Sequence, residues 1–380
     1  MNRNDRHDLD IRRTVMNTES RTGRTDRIAF VLPPVVHAVS AVFVLLFLAA
    51  ACAVAGGGDR KGTAAADQLL VPVGARGIAL GSSCVAGISG VNALYYNPAG
   101  LAATPHSVDA MFSQTSSFDN DGISTAAIGV RFEGFGHIGL SIKAFSFADI
   151  PYTDERNPDG SGAVYSPTFV SVGITYARAL TDRIRAGLTT HLVSEELNRV
   201  SAFGVAFDIG LQYHGLAGIQ GLQLGVALKH LGGNMQYDGP GLYRNVNEIG
   251  SDRTGQMLKI EAAGSQLPTS LELGLGYATV LAADHSLSFS SSFENNNFLN
   301  DSYRLGVEYG FKDMLYLRAS WSLAGDDKAD VFGEKSYIFG PAIGAGVRQD
   351  AGGLLLSFDY AYRSSDVFAG NHVFTLGASF

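Results

Sequence analysis

The residues of this chain that could do chemistry are scattered. Histidines such as His137, His191, His230, His285 and His372 stand on separate segments. None has the H-x-x-x-H or H-E-x-x-H spacing that turns two imidazoles toward one metal ion. Catalysis needs a nucleophile, a base and a group orienting that base within mutual reach, and no stretch sets these out. The chain is therefore read as a non-enzyme with no cofactor and no metal site. Asp326, Asp327 and Asp330 form a small acidic loop, read as solvated rather than calcium-binding. Arg304, Glu308, Arg318 and Asp359 are single charges in alternating segments. Such charges pair across a wall or, if several line one pocket, control what passes it. The last candidate is "NALYYNPAGLA", Asn92 to Ala102. Pro98 removes a donor and fixes φ, which pushes Asn97 to an extended conformation. Gly100 permits a sharp reversal, and Asn92 can cap a short turn. The stretch is too punctuated for a long helix and too apolar for an exposed linker.

The elements that must position these residues are strands. Charged residues are 17% of the 380, below the roughly 25% of a soluble domain. Mean hydropathy is slightly positive, yet only Val35–Ala55 is a long apolar run. Apolar residues are thus interleaved with polar ones. From Ser107 onward the period is two. In "LYLRASWSL", Leu315, Leu317, Ala319, Trp321 and Leu323 share one face, against Tyr316, Arg318, Ser320 and Ser322. "YRLGVEYGF", "VAFDIGLQY" and "LLSFDYAYR" divide in the same way. The apolar face tends to end in aromatics, while the other holds Gly, Ser and single charges. This is the pattern of strands with lipid outside and a polar lumen inside. Strands in a bilayer must pair every backbone group, which closes them into a barrel.

Fourteen segments are expected: roughly 107–117, 124–133, 136–150, 166–181, 183–196, 201–215, 221–232, 268–281, 285–296, 301–312, 314–324, 337–349, 353–364 and 371–380. Most odd-numbered connections are longer than the even ones beside them, as in outer-membrane barrels with short periplasmic turns. Both chain ends then lie in the periplasm. In "IKAFSFADIPY" the alternation slips between Ile142 and Phe147. This marks either a bulge that opens the wall or a strand leaving the membrane into a loop.

The expected organisation is a signal peptide over 1–55, a hatch over 56–106 and a barrel over 107–380. Arg3, Arg6, Arg12, Arg13, Arg21, Arg24 and Arg27 precede the apolar run, and Ala53–Ala55 fits a signal peptidase site. Initiation at Met16, a membrane anchor and lipidation of Cys52 within "LAAAC" are the alternatives. Loss of 1–55 removes seven basic and five acidic residues and takes the net charge from −8 to −10. An acidic chain is a poor candidate for nucleic acid. The lumen of a barrel this wide is too large for wall side chains to fill and is either plugged or left wet, and residues 62–105 suit a compact plug.

The stretch Val73–Ala102, "VGARGIALGSSCVAGISGVNALYYNPAGLA", resembles the N-terminal signature of the PorV/PorQ family, relatives of the FadL fatty-acid transporters. Gly74, Ala75, Arg76, Ala79, Leu80, Gly81, Asn97, Pro98, Ala99, Gly100 and Leu101 fall on that pattern. The spacer departs from it in lacking an acidic residue, and Ser82 and Ser83 replace small residues. The final strand ends in Phe380 and looks like the signal read by the outer-membrane barrel assembly machinery. The resemblance implies a fourteen-strand all-β barrel with an N-terminal hatch, in a bacterial outer membrane and contacting its lipid. It implies passage of hydrophobic small molecules. The alternative is an accessory of type IX secretion that holds exported cargo proteins, with the segments 233–267 and 324–336 as docking loops.

Overall fold

A computed structural model describes residues 60–116, 122–153, 155–246, 255–325, 338–366 and 370–380. The expected signal segment with Cys52, and Asp326, Asp327 and Asp330, lie outside these residues. Among the described residues fourteen antiparallel strands form one closed barrel. They are β1 (Val108–Ser116), β2 (Gly122–Phe132), β3 (Gly136–Ser146), β4 (Thr168–Ala179), β5 (Ile184–Leu197), β6 (Val200–His214) and β7 (Leu222–Gly232). Then follow β8 (Ser270–Ala282), β9 (His285–Asn296), β10 (Ser302–Phe311), β11 (Leu315–Ala324), β12 (Phe339–Asp350), β13 (Leu355–Ser365) and β14 (Asn371–Ser379). Each strand pairs with its sequence neighbours, and β14 returns to β1 from Asp109↔Ser379 to Ser116↔His372. Closure leaves no unpaired edge, which is the condition for spanning lipid.

The side chains are sorted the reverse way from a soluble barrel. On β6, Ala202, Ala206, Asp208 and Gln212 are buried, while Phe203, Phe207, Ile209 and Leu211 are exposed. The directly registered Leu140 and Ile174 are 50% and 53% exposed. Their inward neighbours Ser141 and Thr175 are buried. A face of exposed Leu, Ile and Phe around a closed wall makes this a transmembrane β-barrel. Among the described residues no helix is long and apolar enough to cross a membrane.

Six connections at one end are short: 133–135, 180–183, 215–221, 283–284, 312–314 and 351–354. The other end carries the long connections, among them 233–269, whose described residues pack onto the mouth. Its Met235 and Leu267 are buried against Ala65, Ala66, Leu69, Val193, Ala202 and Ala206. One connection at this end is a tight hairpin, because β5 and β6 run to Leu197 and Val200 with Asn198 at φ +51°. The slip near Ile142–Phe147 is not a bulge, since β3 keeps an unbroken register with β2 and β4 to Ser146. The polarity changes there because Phe145 is on the inward face, where Phe147 lies 6.2 Å from it and 5.0 Å from Phe169, centroid to centroid. Register shifts occur instead at Phe207/Ile209, Val280/Ala282 and Phe339/Ala342.

Leu140→Arg puts a charge at mid-strand on the lipid face and is expected to lower stability by about 2–4 kcal/mol, read by urea unfolding in lipid vesicles. Leu258→Arg, on an exposed hairpin of the long loop, is expected to change it by less than ~0.5 kcal/mol.

Candidate functional site: a plug seated on wall glycines

Within 60–106, the stretch Ala65–Leu101 is largely buried and packs against the inward face of the wall. One short helix, α1 (Ala75–Ala79), and 3-10 turns at Asp67–Leu69, Gly90–Tyr95 and Pro98–Ala103 build this segment. Turns this short bury few groups of their own, so the wall must satisfy them. Asn97 is extended, with φ −155°, and its side-chain oxygen accepts from the Ala99 N–H. Its Nδ2 donates to Val85 O and Leu211 O at 3.0 Å each. One fully buried asparagine thus caps a turn, ties the spacer and binds β6. The capping role expected of Asn92 falls to Asn97, because Asn92 sits inside its turn and caps nothing. Gly100 is not used for a reversal either. It lies within a 3-10 turn, and a Cβ there would stand 2.2 Å from Ile88 O.

The wall meets the plug with glycine. Gly129, Gly139, Gly187, Gly210, Gly225, Gly274, Gly306 and Gly344 come from eight strands, and at each an added Cβ would strike the plug within 3.0 Å. At Gly210 the clash would be with Asn97 Oδ1 at 2.0 Å, and at Gly187 with the Pro98 carbonyl carbon at 2.4 Å. The inward glycines are the wall's half of the NPAG site. Apolar plug residues fill the spaces between: Val91, Leu94 and Leu101 pack on Met111, Ala127 and Ala177, and Ala75, Ile78 and Ala79 on Ala361 and Val373.

Polar contacts complete the seat. The spacer, which lacks an acidic residue, is held through its carbonyls: Gln212 Nε2 donates to Val85 O at 3.2 Å and Ile88 O at 3.0 Å. Lys143 Nζ donates to Gln68 O and Val71 O at 2.9 Å each, and the Ala75 N–H to Thr375 Oγ1 at 2.8 Å. Arg76 forms a two-point pair with Glu308, Nη2 to Oε1 at 2.9 Å and Nε to Oε2 at 3.0 Å. Such paired, planar contacts are the strong kind. Glu308 also accepts from Arg318 Nε at 2.5 Å, and Arg318 Nη1 donates to Asp359 at 2.6 Å. Three of the four lumen candidates therefore join the hatch arginine in one network. Arg304 does not, although it is four residues from Glu308. It bonds Glu294 and stands 4.0 Å from Glu272, which pairs with Lys229 at 3.0 Å.

The neighbouring Glu308 carboxylate holds the Arg76 guanidinium charged, its pKa raised despite burial. Burial pushes the Cys84 thiol up to about 12, with Arg76 pulling the other way. Two of the histidines expected to stand apart are in fact neighbours. His191 Nε2 lies 2.8 Å from Asp208 Oδ2, and Asp208 Oδ1 accepts the His230 N–H at 2.7 Å. His230 has φ +57° at a bulge in β7, and no periodic pattern shows that bulge. No described group of three His, Cys, Asp or Glu could hold a metal ion.

The plug divides two cavities. The one toward the long loops, about 160 Å³, lies between Leu69–Pro72, Tyr95 and Tyr96 and the charged Lys229, Glu272 and Arg304. The one toward the short turns, about 650 Å³, is bounded by Leu80, Cys84 and Ile88 of the plug and Ser286, Ser288 and Ser290 of β9.

Fold and site together define a fourteen-strand transmembrane barrel with an internal N-terminal plug, an even-stranded architecture of bacterial outer-membrane proteins. No family model matches the sequence, and no curated protein matches it. Among solved structures, the chain is similar to the CymD monoaromatic hydrocarbon channel at TM-score 0.49 and 13% identity, over 82% of this chain and 98% of that one. For the Ralstonia pickettii toluene transporter TbuX the values are 0.49, 14%, 81% and 98%. For a Pseudomonas aeruginosa FadL homologue they are 0.45, 13%, 82% and 98%.

Asn97→Asp sets a carboxylate against two carbonyls that now accept from Nδ2, and is expected to loosen the plug more than Asn97→Ala, which costs about 1–3 kcal/mol. Limited proteolysis within 60–106 ranks the two. Cys84, the free thiol among the described residues, is expected to label with maleimide far more slowly than an exposed cysteine at pH 8, because its folded pKa is raised and the thiolate is the reactive form. The rate should rise in Asn97→Asp.

Proposed function

We propose that this chain passes hydrophobic small molecules across a bacterial outer membrane, with residues 60–106 acting as a movable hatch. The observation that carries this reading is the plug: it separates two cavities, one toward each end of the barrel, so passage requires it to shift. The loop end suits an apolar molecule, with Phe145, Phe147 and Phe169 clustered at its rim and a second apolar cluster of Met235, Leu267 and Leu69 buried at the same end. The resemblance of Val73–Ala102 to the PorV/PorQ signature and its FadL relatives supports the same reading. In this reading lipid surrounds the exposed belt, the short turns face the periplasm, and the assembly machinery receives the strand ending in Phe380.

One observation favours the second reading, an accessory of type IX secretion. The loop hairpin of Tyr243–Val246 and Gln256–Lys259 exposes Tyr243, Val246, Met257 and Leu258, followed by Ile260, an apolar surface that a cargo protein could cover. The test is uptake of the fluorophore N-phenyl-1-naphthylamine by cells whose outer membrane otherwise excludes it. Wild-type protein is expected to admit the fluorophore but not a trisaccharide, and deletion of residues 60–106 to admit both. Equal fluorophore uptake with and without the wild-type protein would overturn the passage reading. If the hairpin instead serves secretion, its deletion should release cargo from the cell surface and leave uptake unchanged.

A further inference from the structure

The plug is not held evenly around the wall. On one side Asn97, Gln212 and Lys143 bind it to β6 and β3, and Leu94 and Leu101 press on Gly139 and Gly129. On the other side α1 is fixed on β13 and β14 through Ala361, Val373 and Thr375. Between these anchors the turn Leu80–Ser83 spans β9 to β11 with small contacts only. Ser83 Oγ lies 2.6 Å from Ser290 Oγ, Gly81 abuts Ser320, and Gly306 on β10 stands beneath Leu80 O. Gly81 and Ser82 are both left-handed, at φ +61° and +62°, a conformation that costs a serine free energy and persists only where surroundings impose it. Both cavities touch this turn. Leu80 faces the larger one, while Gly81 and Ser82 face the smaller. Arg76, one helical turn earlier, binds Glu308 on β10 beneath it.

We propose that Leu80–Ser83 is the moving part of the hatch and that the permeant crosses there, between the turn and Ser290, Gly306 and Ser320. The rest of the plug, including α1 with its Arg76–Glu308 pair, stays seated. The inference rests on the passage reading. The path has two unlike sides. Leu80, Cys84 and Ile88 offer apolar surface, while Ser286, Ser288 and Ser290 offer a column of hydroxyls. The 650 Å³ cavity falls in the size range of small-ligand sites, and its lining fits an amphipathic molecule better than a bare hydrocarbon. The wall at β3 is not the route, because its register with both neighbours is unbroken.

The test uses the full chain with Cys52 and Cys84 replaced by alanine and the pair Ser83→Cys, Ser290→Cys introduced. Their hydroxyls already touch, and the disulfide would pin the turn to β9. Oxidised cells are expected to lose fluorophore uptake to the level of cells without the protein, and reduction of the same cells to restore it. Gly306→Ala, which props the turn away from β10, is expected to raise ion conductance in planar bilayers, and the oxidised pair to abolish that rise. If wild type admits the fluorophore and the oxidised pair admits it equally, the moving turn is wrong and the passage reading stands. If wild type admits none, the passage reading falls. The conductance of Gly306→Ala then decides the turn by itself: unchanged conductance overturns it, and a rise that the disulfide removes supports it.

Discussion

A peptide group in hydrocarbon has no water to bond, and the rest of this molecule follows from that constraint. Fourteen strands satisfy it by closing β14 onto β1. Closure on fourteen strands creates a lumen wider than wall side chains can fill, and the chain's own N-terminal segment packs into it. The plug brings a second set of peptide groups into a confined space, and its short turns leave many unpaired. Asn97, Gln212, Lys143 and Thr375 exist in the lumen to meet them. The polar inner face is thus a complement to a particular backbone as well as a wet surface.

Glycine is the geometric counterpart of those bonds. The plug approaches so closely that eight strands carry no side chain at the point of contact. The composition, with 46 glycines, reflects this seat as much as it reflects turns. Where the seat is deepest, at Gly187 and Gly210, it receives Asn97 and Pro98. At Gly306 a Cβ would meet Ser83 Oγ at 2.6 Å, and there hydroxyls hold the turn, with the Arg76–Glu308 pair beside them.

Much of this was legible in the sequence. Alternation in "LYLRASWSL" sets Leu317 and Trp321 against Arg318 and Ser320, and the structure places Leu317 and Trp321 outside and Arg318 inside. All fourteen expected segments hold a strand, because lipid on one side and lumen on the other impose period two without exception for most of their length. What the sequence hid depends on neighbours far away in the chain. Arg304 and Glu308 share a strand face, yet β9 supplies Glu294 to one and the plug supplies Arg76 to the other. His191 and His230 meet only because β7 bulges at His230. Gly129 and Gly210 read as weak strand residues until the plug pressing on them is known. The slip at Phe145 reads as a defect until the inward aromatic cluster explains it.

The central claim is that residues 60–106 are a seated plug and not a loose tail. Amide hydrogen exchange of the protein in lipid nanodiscs, read by mass spectrometry, tests it most directly. Protection across Ala75–Leu101 approaching that of β5 and β6, and lost in Asn97→Asp, is the result this account requires. Exchange of that segment at the rate of an unstructured chain, with the strands still protected, would contradict it.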